Sequence, residues 1–127
     1  MTTEQKKKIA IVEDSPDTAE VMTAFLNDLC DDFEVSHFTT GPGFLEAFQR
    51  GQYQLVLLDI SLPEMDGYEV LRRTRLIDAT IPVIAFTAHA GMNFRQRAIQ
   101  TGFNDVVIKP VLDMAAFCRK IVEVADR

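Results

Sequence analysis

Residues 55–67 read LVLLDISLPEMDG, four apolar residues running straight into Asp59. An apolar run with no polar alternation is the pattern of a strand covered on both faces, the habit of parallel sheets. The carboxylate that ends it is costly wherever the burial continues. Folding alone gives no reason for an acid at that point, so a chemical one is required.

Runs of the same kind recur as IAIV (9–12), VSHF (35–38), PVIAF (82–86) and DVVI (105–108). Helix-like segments separate them. Ser15 is placed to cap the first, with Pro16 at its first position and Met22, Phe25, Leu26 and Leu29 on one stripe. The second is expected from Pro42 to Arg50, with Phe44, Leu45 and Phe48 inward and Gly51 ending it in a left-handed turn. The third covers about Gly67 to Arg75, with Val70, Leu71 and Thr74 inside. The fourth runs from Phe94 to Thr101, with Phe94, Ala98 and Ile99 as its stripe and Gly102 closing it. The last begins near Asp113, where Leu112 and Phe117 are expected to form a hydrophobic staple and Phe117, Ile121 and Val124 share a face. Strands alternating with helices in this way make a (βα)5 chain of the α/β class, a doubly wound, five-stranded parallel sheet with helices on both faces.

A length of 127 residues, 47% hydrophobic and 25% charged, suits one globular domain, 1–127, with a polar tail at 1–7 and a core from about 8 to 124. The net charge of -6 and the lack of a basic stripe argue against direct nucleic-acid binding. Met1 to Lys8 has no apolar core of a secretory signal, and no apolar run approaches the length of a membrane span, so a cytoplasmic location is expected. Cys30 and Cys118 belong to no CxxC pair and are read as reduced, partly buried thiols.

In open parallel sheets ligands bind at the carboxyl ends of the strands, beside the reversal in strand order. The residues there are Glu13 and Asp14 after the first run, Asp59 after the third, Thr87 after the fourth, and Lys109 with Pro110 after the fifth. Three clustered carboxylates repel one another unless a cation sits among them. Their hard oxygens suit Mg²⁺, which commonly bridges carboxylates to phosphate. The Lys109 ammonium and the Thr87 hydroxyl could hold two oxygens of a phosphoryl group placed on Asp59, which makes Asp59 the nucleophile.

Glu13-Asp14, Asp59 in LLDISLPEMDG, Thr87 in AFTA and Lys109-Pro110 in VIKP together resemble the receiver domain of two-component response regulators, of the single-domain chemotaxis type. The resemblance covers about Lys8 to Val124 and implies the flavodoxin-like strand order 2-1-3-4-5, of which a chemotaxis receiver is an example. It implies a phosphorylation-activated signalling switch. Asp59 is then the phosphoacceptor, served by a phosphohistidine of a sensor histidine kinase or histidine phosphotransfer protein, or by a small donor such as acetyl phosphate. Asp14 is implied as a direct Mg²⁺ ligand beside Asp59, Glu13 as a ligand through water, and the Ser61 backbone carbonyl as a further ligand. Lys109 is the phosphate-pairing lysine, Thr87 the switch hydroxyl, and the Lys109–Pro110 peptide is cis. Output is expected through the face of helix four, strand five and helix five to a protein partner. The chain is expected to catalyse only its own phosphorylation and dephosphorylation, and to be a stand-alone receiver; a domain excised from a hybrid kinase or larger regulator is the alternative.

Two positions depart from the family pattern. Glu13 stands where a second Asp is commoner. Val106 stands three residues before Lys109, where receivers often carry a Tyr or Phe whose ring follows the switch hydroxyl, so the signal is expected to pass through the backbone from Ala88 to Asn93 and helix four. For His89, a role in tuning phosphoryl lifetime and an exposed loop histidine without a role both stand. His37 is read as a satisfied strand residue, GPGF (41–44) as too short for a dinucleotide fingerprint, Arg72, Arg73 and Arg75 as a solvated face, and Pro63 and Gly67 as turn residues. Three rivals bear weighing. A phosphatase would need an acid where Ser61 stands, a flavin carrier would need a phosphate loop where acidic EDSPD stands, and a phosphate-independent scaffold shares the fold.

Overall fold

Each apolar run becomes a strand and each amphipathic segment a helix in the computed structural model, which describes residues 7–30, 33–88 and 91–125. The elements are β1 (Lys7–Val12), α1 (Pro16–Phe25), β2 (Phe33–Phe38), α2 (Gly41–Ala47), β3 (Leu55–Asp59), α3 (Gly67–Ile77), β4 (Val83–Thr87), α4 (Phe94–Thr101), β5 (Asp105–Ile108) and α5 (Met114–Ala125). A π-helical turn, Leu26–Cys30, prolongs α1. The sheet order is β2-β1-β3-β4-β5, with every pair parallel. The order 2-1-3-4-5 expected from the sequence is therefore present.

Alternate residues of the strands feed two cores. Ala10, Val12, Val56, Leu58, Val83 and Ala85 face α2, α3 and α4 through Phe44, Phe48, Val70, Leu71 and Ala98. Ile9, Ile11, Leu55, Leu57, Ile84 and Phe86 face α1 and α5 through Ala19, Met22, Leu26, Phe117, Ile121 and Val124. All five residues of β3 and of β4 are buried, which is why their sequences read as unbroken apolar runs. Side chains cap the helices: Ser15 accepts from Thr18 N at 3.3 Å, Thr40 from Gly43 N at 3.1 Å, Asp66 from Glu69 N at 3.0 Å and Asp113 from Ala116 N at 3.0 Å.

Several details differ from the sequence reading. The second helix stops at Ala47 rather than Arg50, because Phe48 turns to extended backbone (φ -72°, ψ 130°) and stays in the core against Phe44 and Tyr53. Gly51 has the expected positive φ of 80°, but in the turn after the helix. Ile99 is 40% exposed: α4 packs through the small Ala98, and the next residue points about 100° away around the helix. Leu112 is 89% exposed, so it makes no staple with the buried Phe117, and the Asp113 cap starts α5 alone. Arg72 and Arg73 do lie on a solvated face, paired with Glu69 at 2.7 Å, but Arg75 does not. Its guanidinium donates to the Ile81 carbonyl, to the Gly102 carbonyl at 2.9 Å and to Asn104 Oδ1 at 2.9 Å, tying α3 to the ends of β4 and β5. Cys30 and Cys118 are half-buried as expected but not reduced: they form a disulfide across a sequence separation of 88, with Cα atoms 5.0 Å apart. The long separation hid a pairing that packing α5 against the π-helical turn creates.

Candidate functional site

β1 and β3 are neighbours whose helical connections leave toward opposite faces, so their carboxyl ends open a crevice. Glu13 and Asp14 follow β1, Asp59 ends β3, Thr87 ends β4 and Lys109 follows β5. Glu13 is pinned at the crevice by its backbone N–H, which donates to the Phe38 carbonyl at 2.9 Å, while its own carbonyl accepts from His37 Nε2 at 2.7 Å. His37 thus has a partner, as expected. Glu13, Asp59 and Thr87 are buried and Asp14 is exposed. One carboxylate oxygen from each of Glu13, Asp14 and Asp59 lies within 4.8 Å of the others.

The Lys109 ammonium reaches into this cluster, donating to Glu13 Oε2 at 2.8 Å and Asp59 Oδ2 at 3.2 Å. It lies over the Phe86 ring, 4.9 Å from the centroid, which adds a cation–π contact on its apolar side. The other oxygen of Asp59 accepts from the Ser61 N–H at 2.9 Å. With all three carboxylates ionised, the cluster carries two negative charges beyond the Lys109 ammonium, a deficit that would suit a divalent cation. The strain of this arrangement appears at Glu13. Burial, then a hydrogen bond shared with Asp59 and the charge of Asp59, push its carboxyl up to about 7, with Lys109 pulling the other way. Burial opposes the charge of Lys109, yet the bonds and charges of Glu13 and Asp59 prevail and hold its pKa above the ordinary lysine value.

The loop after β3 is built around Gly67. Its N–H donates to the Ile60 carbonyl at 2.8 Å, and a Cβ there would fall 2.5 Å from the Asp59 carbonyl oxygen and 2.6 Å from Ile60 Cα. Gly67 is therefore more than a turn residue: only glycine lets α3 begin this close to the end of β3. Ser61 sits in the same loop, exposed, with its N–H already on Asp59. The backbone carbonyl of Thr87 accepts from Lys109 N at 2.8 Å, and the Lys109–Pro110 peptide is cis. Val106 is buried in the core that holds Leu71, Ala98 and Phe103. Ala88 is exposed, and His89 falls outside the described residues.

A groove of about 500 Å³ runs beside the crevice between α1 and the chain after β5, lined by Thr18, Val21, Phe25, Ala88, Lys109 and Pro110 among others. Sequence reasoning did not find it. Its apolar walls come from the solvent side of α1, where exposed Val21 reads as an ordinary surface residue until Pro110 stands opposite. Among the described residues no helix is long and apolar enough to cross a membrane.

Comparison with known proteins places this arrangement. The family model for the response regulator receiver domain matches residues 9–121. An uncharacterized 14.6 kDa protein of Leptolyngbya boryana is 37% identical over 87% of this chain and 85% of its own length. An uncharacterized transcriptional regulatory protein of Bacillus subtilis, YkoG, is 39% identical over 84% of this chain, which spans only 46% of that protein. Among solved structures, the receiver domain of the sensor histidine kinase PA1611 from Pseudomonas aeruginosa PAO1, with magnesium coordinated in its active-site cleft, is 30% identical, with a TM-score of 0.84 over 97% of this chain and 100% of that one. A match along nearly the whole chain, shared with a relative of similar length and with the receiver domain of a sensor histidine kinase, means that the chain belongs to the response regulator receiver domain family.

Proposed function

We propose that this receiver is a signalling switch operated by phosphorylation of Asp59. The observation that carries the reading is the meeting of Asp59, Glu13 and Asp14 with Lys109 at one strand-end crevice. Asp59 attacks phosphorus through a carboxylate oxygen. The new O–P bond replaces the P–N bond of a phosphohistidine, whose imidazole leaves with the bonding electrons; with acetyl phosphate the bond that breaks is P–O. Lys109 then exchanges its bond to Asp59 for one to a phosphoryl oxygen, and the Thr87 hydroxyl takes another. The carboxylates of Glu13, Asp14 and Asp59 suit Mg²⁺; Asp14, Asp59 and the Ser61 carbonyl would hold the ion with Glu13 alongside, and it would supply positive charge to offset that of the transferring group.

The donor is a sensor histidine kinase or histidine phosphotransfer protein, and the place of action is the cytoplasm. The chain turns over no separate substrate: it modifies and releases only itself. Output uses the face of α4, β5 and α5, where Ile99, Ile108 and Leu112 are 40%, 51% and 89% exposed and offer apolar contacts to a protein partner. To drive that face almost fully to its active form, the phosphoryl group must favour it by roughly 5.5 kcal/mol. Val106 lies in the core without a ring, so the change passes through the backbone after Thr87 and through α4.

The test is to incubate the protein with Mg²⁺ and acetyl phosphate and measure intact mass. A base-labile phosphoryl increment, absent without Mg²⁺ and absent in Asp59→Asn, is expected. An increment that survives in Asp59→Asn refutes the assignment.

A further inference from the structure

The two cysteines stand outside the phosphorylation chemistry. They come from opposite ends of the chain, 88 residues apart, and meet where the π-helical turn packs on α5. The two cores on either side of the sheet are filled by apolar side chains, so the fold has a hydrophobic basis of its own. The pair is not sealed inside. Both residues are only partly buried, and they line a surface hollow of about 350 Å³ together with Arg119, Val122 and Glu123. A small thiol has room to approach there, and access is the first requirement for exchange. The turn carrying Cys30 is also irregular: a π-helical turn widens the helix, a feature frequent at functional sites, and here it brings Cys30 round to α5.

The link joins the elements that flank the groove beside Asp59. α1 supplies Thr18, Val21, Met22 and Phe25 to that groove, and Pro110 and Val111 opposite lead into α5. We propose that Cys30–Cys118 is a reversible redox latch that, when closed, ties the end of α1 to α5 and fixes the walls of the groove next to the phosphoacceptor, and that opens by exchange with a glutathione-class thiol. Opening begins when a thiolate of that class attacks one sulfur, forming a mixed disulfide and releasing the other cysteine as a thiolate that takes up a proton. A second thiolate attacks the small-molecule sulfur of the mixed disulfide and frees the first cysteine. The two electrons come from two molecules of the thiol, which leave joined as their disulfide; closure is the reverse with that disulfide as oxidant. In a reducing compartment such as the cytoplasm, a disulfide is usually transient or redox-sensing rather than a permanent brace. The latch rests on the proposed function only for what the groove receives and for the compartment.

The experiment uses the full chain in buffers of reduced and oxidised glutathione, with free thiols trapped by a maleimide and counted by mass, and with amide hydrogen exchange followed in each state. The pair is expected to open in millimolar reduced glutathione while the chain stays folded, and to reclose when oxidised glutathione is added. Exchange over 17–30 and 114–125 is expected to be at least tenfold faster in the open state, and Cys118→Ser is expected to show the fast pattern in both buffers. A bond that resists glutathione until the chain unfolds, a pair that never closes, or exchange that is the same in both states overturns the latch. Labelling of Asp59 by acetyl phosphate on the same samples keeps the two readings apart: failure to label in both states defeats the phosphorylation reading and leaves the redox result standing.

Discussion

Asp59 is held from two sides before any metal arrives, by the Ser61 N–H and by the Lys109 ammonium, and Glu13 takes up the charge conflict that remains. That conflict has a sign that can be measured. The carboxyl of Glu13 rises from an ordinary 4.5 to about 7 in the folded protein. Between those values the native state keeps a proton that the unfolded chain has already lost, so metal-free stability falls as pH rises through this window, by roughly 3 kcal/mol at most. Urea unfolding in EDTA at several pH values should show the decline, and Glu13→Gln should flatten it; stability that climbs from pH 4.5 to 7 contradicts a Glu13 carboxyl raised by burial and by Asp59. Mg²⁺ prefers the deprotonated carboxylate, so its apparent affinity should increase as pH rises toward 7. Lys109 already holds the Glu13 and Asp59 oxygens that a metal ion would take. Lys109→Met should therefore bind Mg²⁺ more tightly, roughly three- to tenfold, while accepting phosphate from acetyl phosphate much more slowly. Titration calorimetry and intact mass read the two halves of that expectation separately, and weaker Mg²⁺ binding would show that Lys109 organises the acids instead of rivalling the ion.

The elements that aim these side chains were largely legible in the sequence, because unbroken Val, Ile and Leu runs admit few readings other than buried parallel strands. What escaped was contact between elements. Nothing in MDG says that the helix begins against the carbonyl of Asp59, and nothing in RRTR says that the third arginine turns inward while its neighbours face water. Gly67→Ala should force the start of α3 off β3, destabilising the fold by about 1–3 kcal/mol and moving Ser61, with a measurable loss of Mg²⁺ affinity. Unchanged stability and unchanged affinity would mean that the loop gives way at no cost. Arg75→Ala leaves the carbonyls of Ile81 and Gly102 without their donor and should cost about 1–3 kcal/mol in chemical denaturation, although a single arginine on a solvated face would be expected to cost almost nothing. At Val106 the missing ring was visible in the sequence, but its consequence was not, because only the fold shows the side chain packed inward.

Across the entire chain, the strand order and the convergence of acids and lysine at one rim follow from alternation and from resemblance, and both are present. The disulfide follows from neither. Two cysteines 88 residues apart carry no spacing signal, and their meeting is a product of α5 lying against the end of α1 on the same face as Met22 and Ile121. Its effect on stability differs in kind from that of a side-chain contact, because a cross-link over so long a loop acts mainly by restricting the unfolded chain. Losing it by reduction or by Cys30→Ser should lower the unfolding free energy by about 2–4 kcal/mol. The lost restriction should also show in the denatured state. With the link open the unfolded chain expands further and exposes more surface, so the denaturant m-value should be larger for the reduced protein than for the oxidised one. Urea titrations of both forms, with thiols counted in each, test this directly: equal midpoints and equal m-values would mean that the cross-link does not persist in solution, and the redox latch would fail with it.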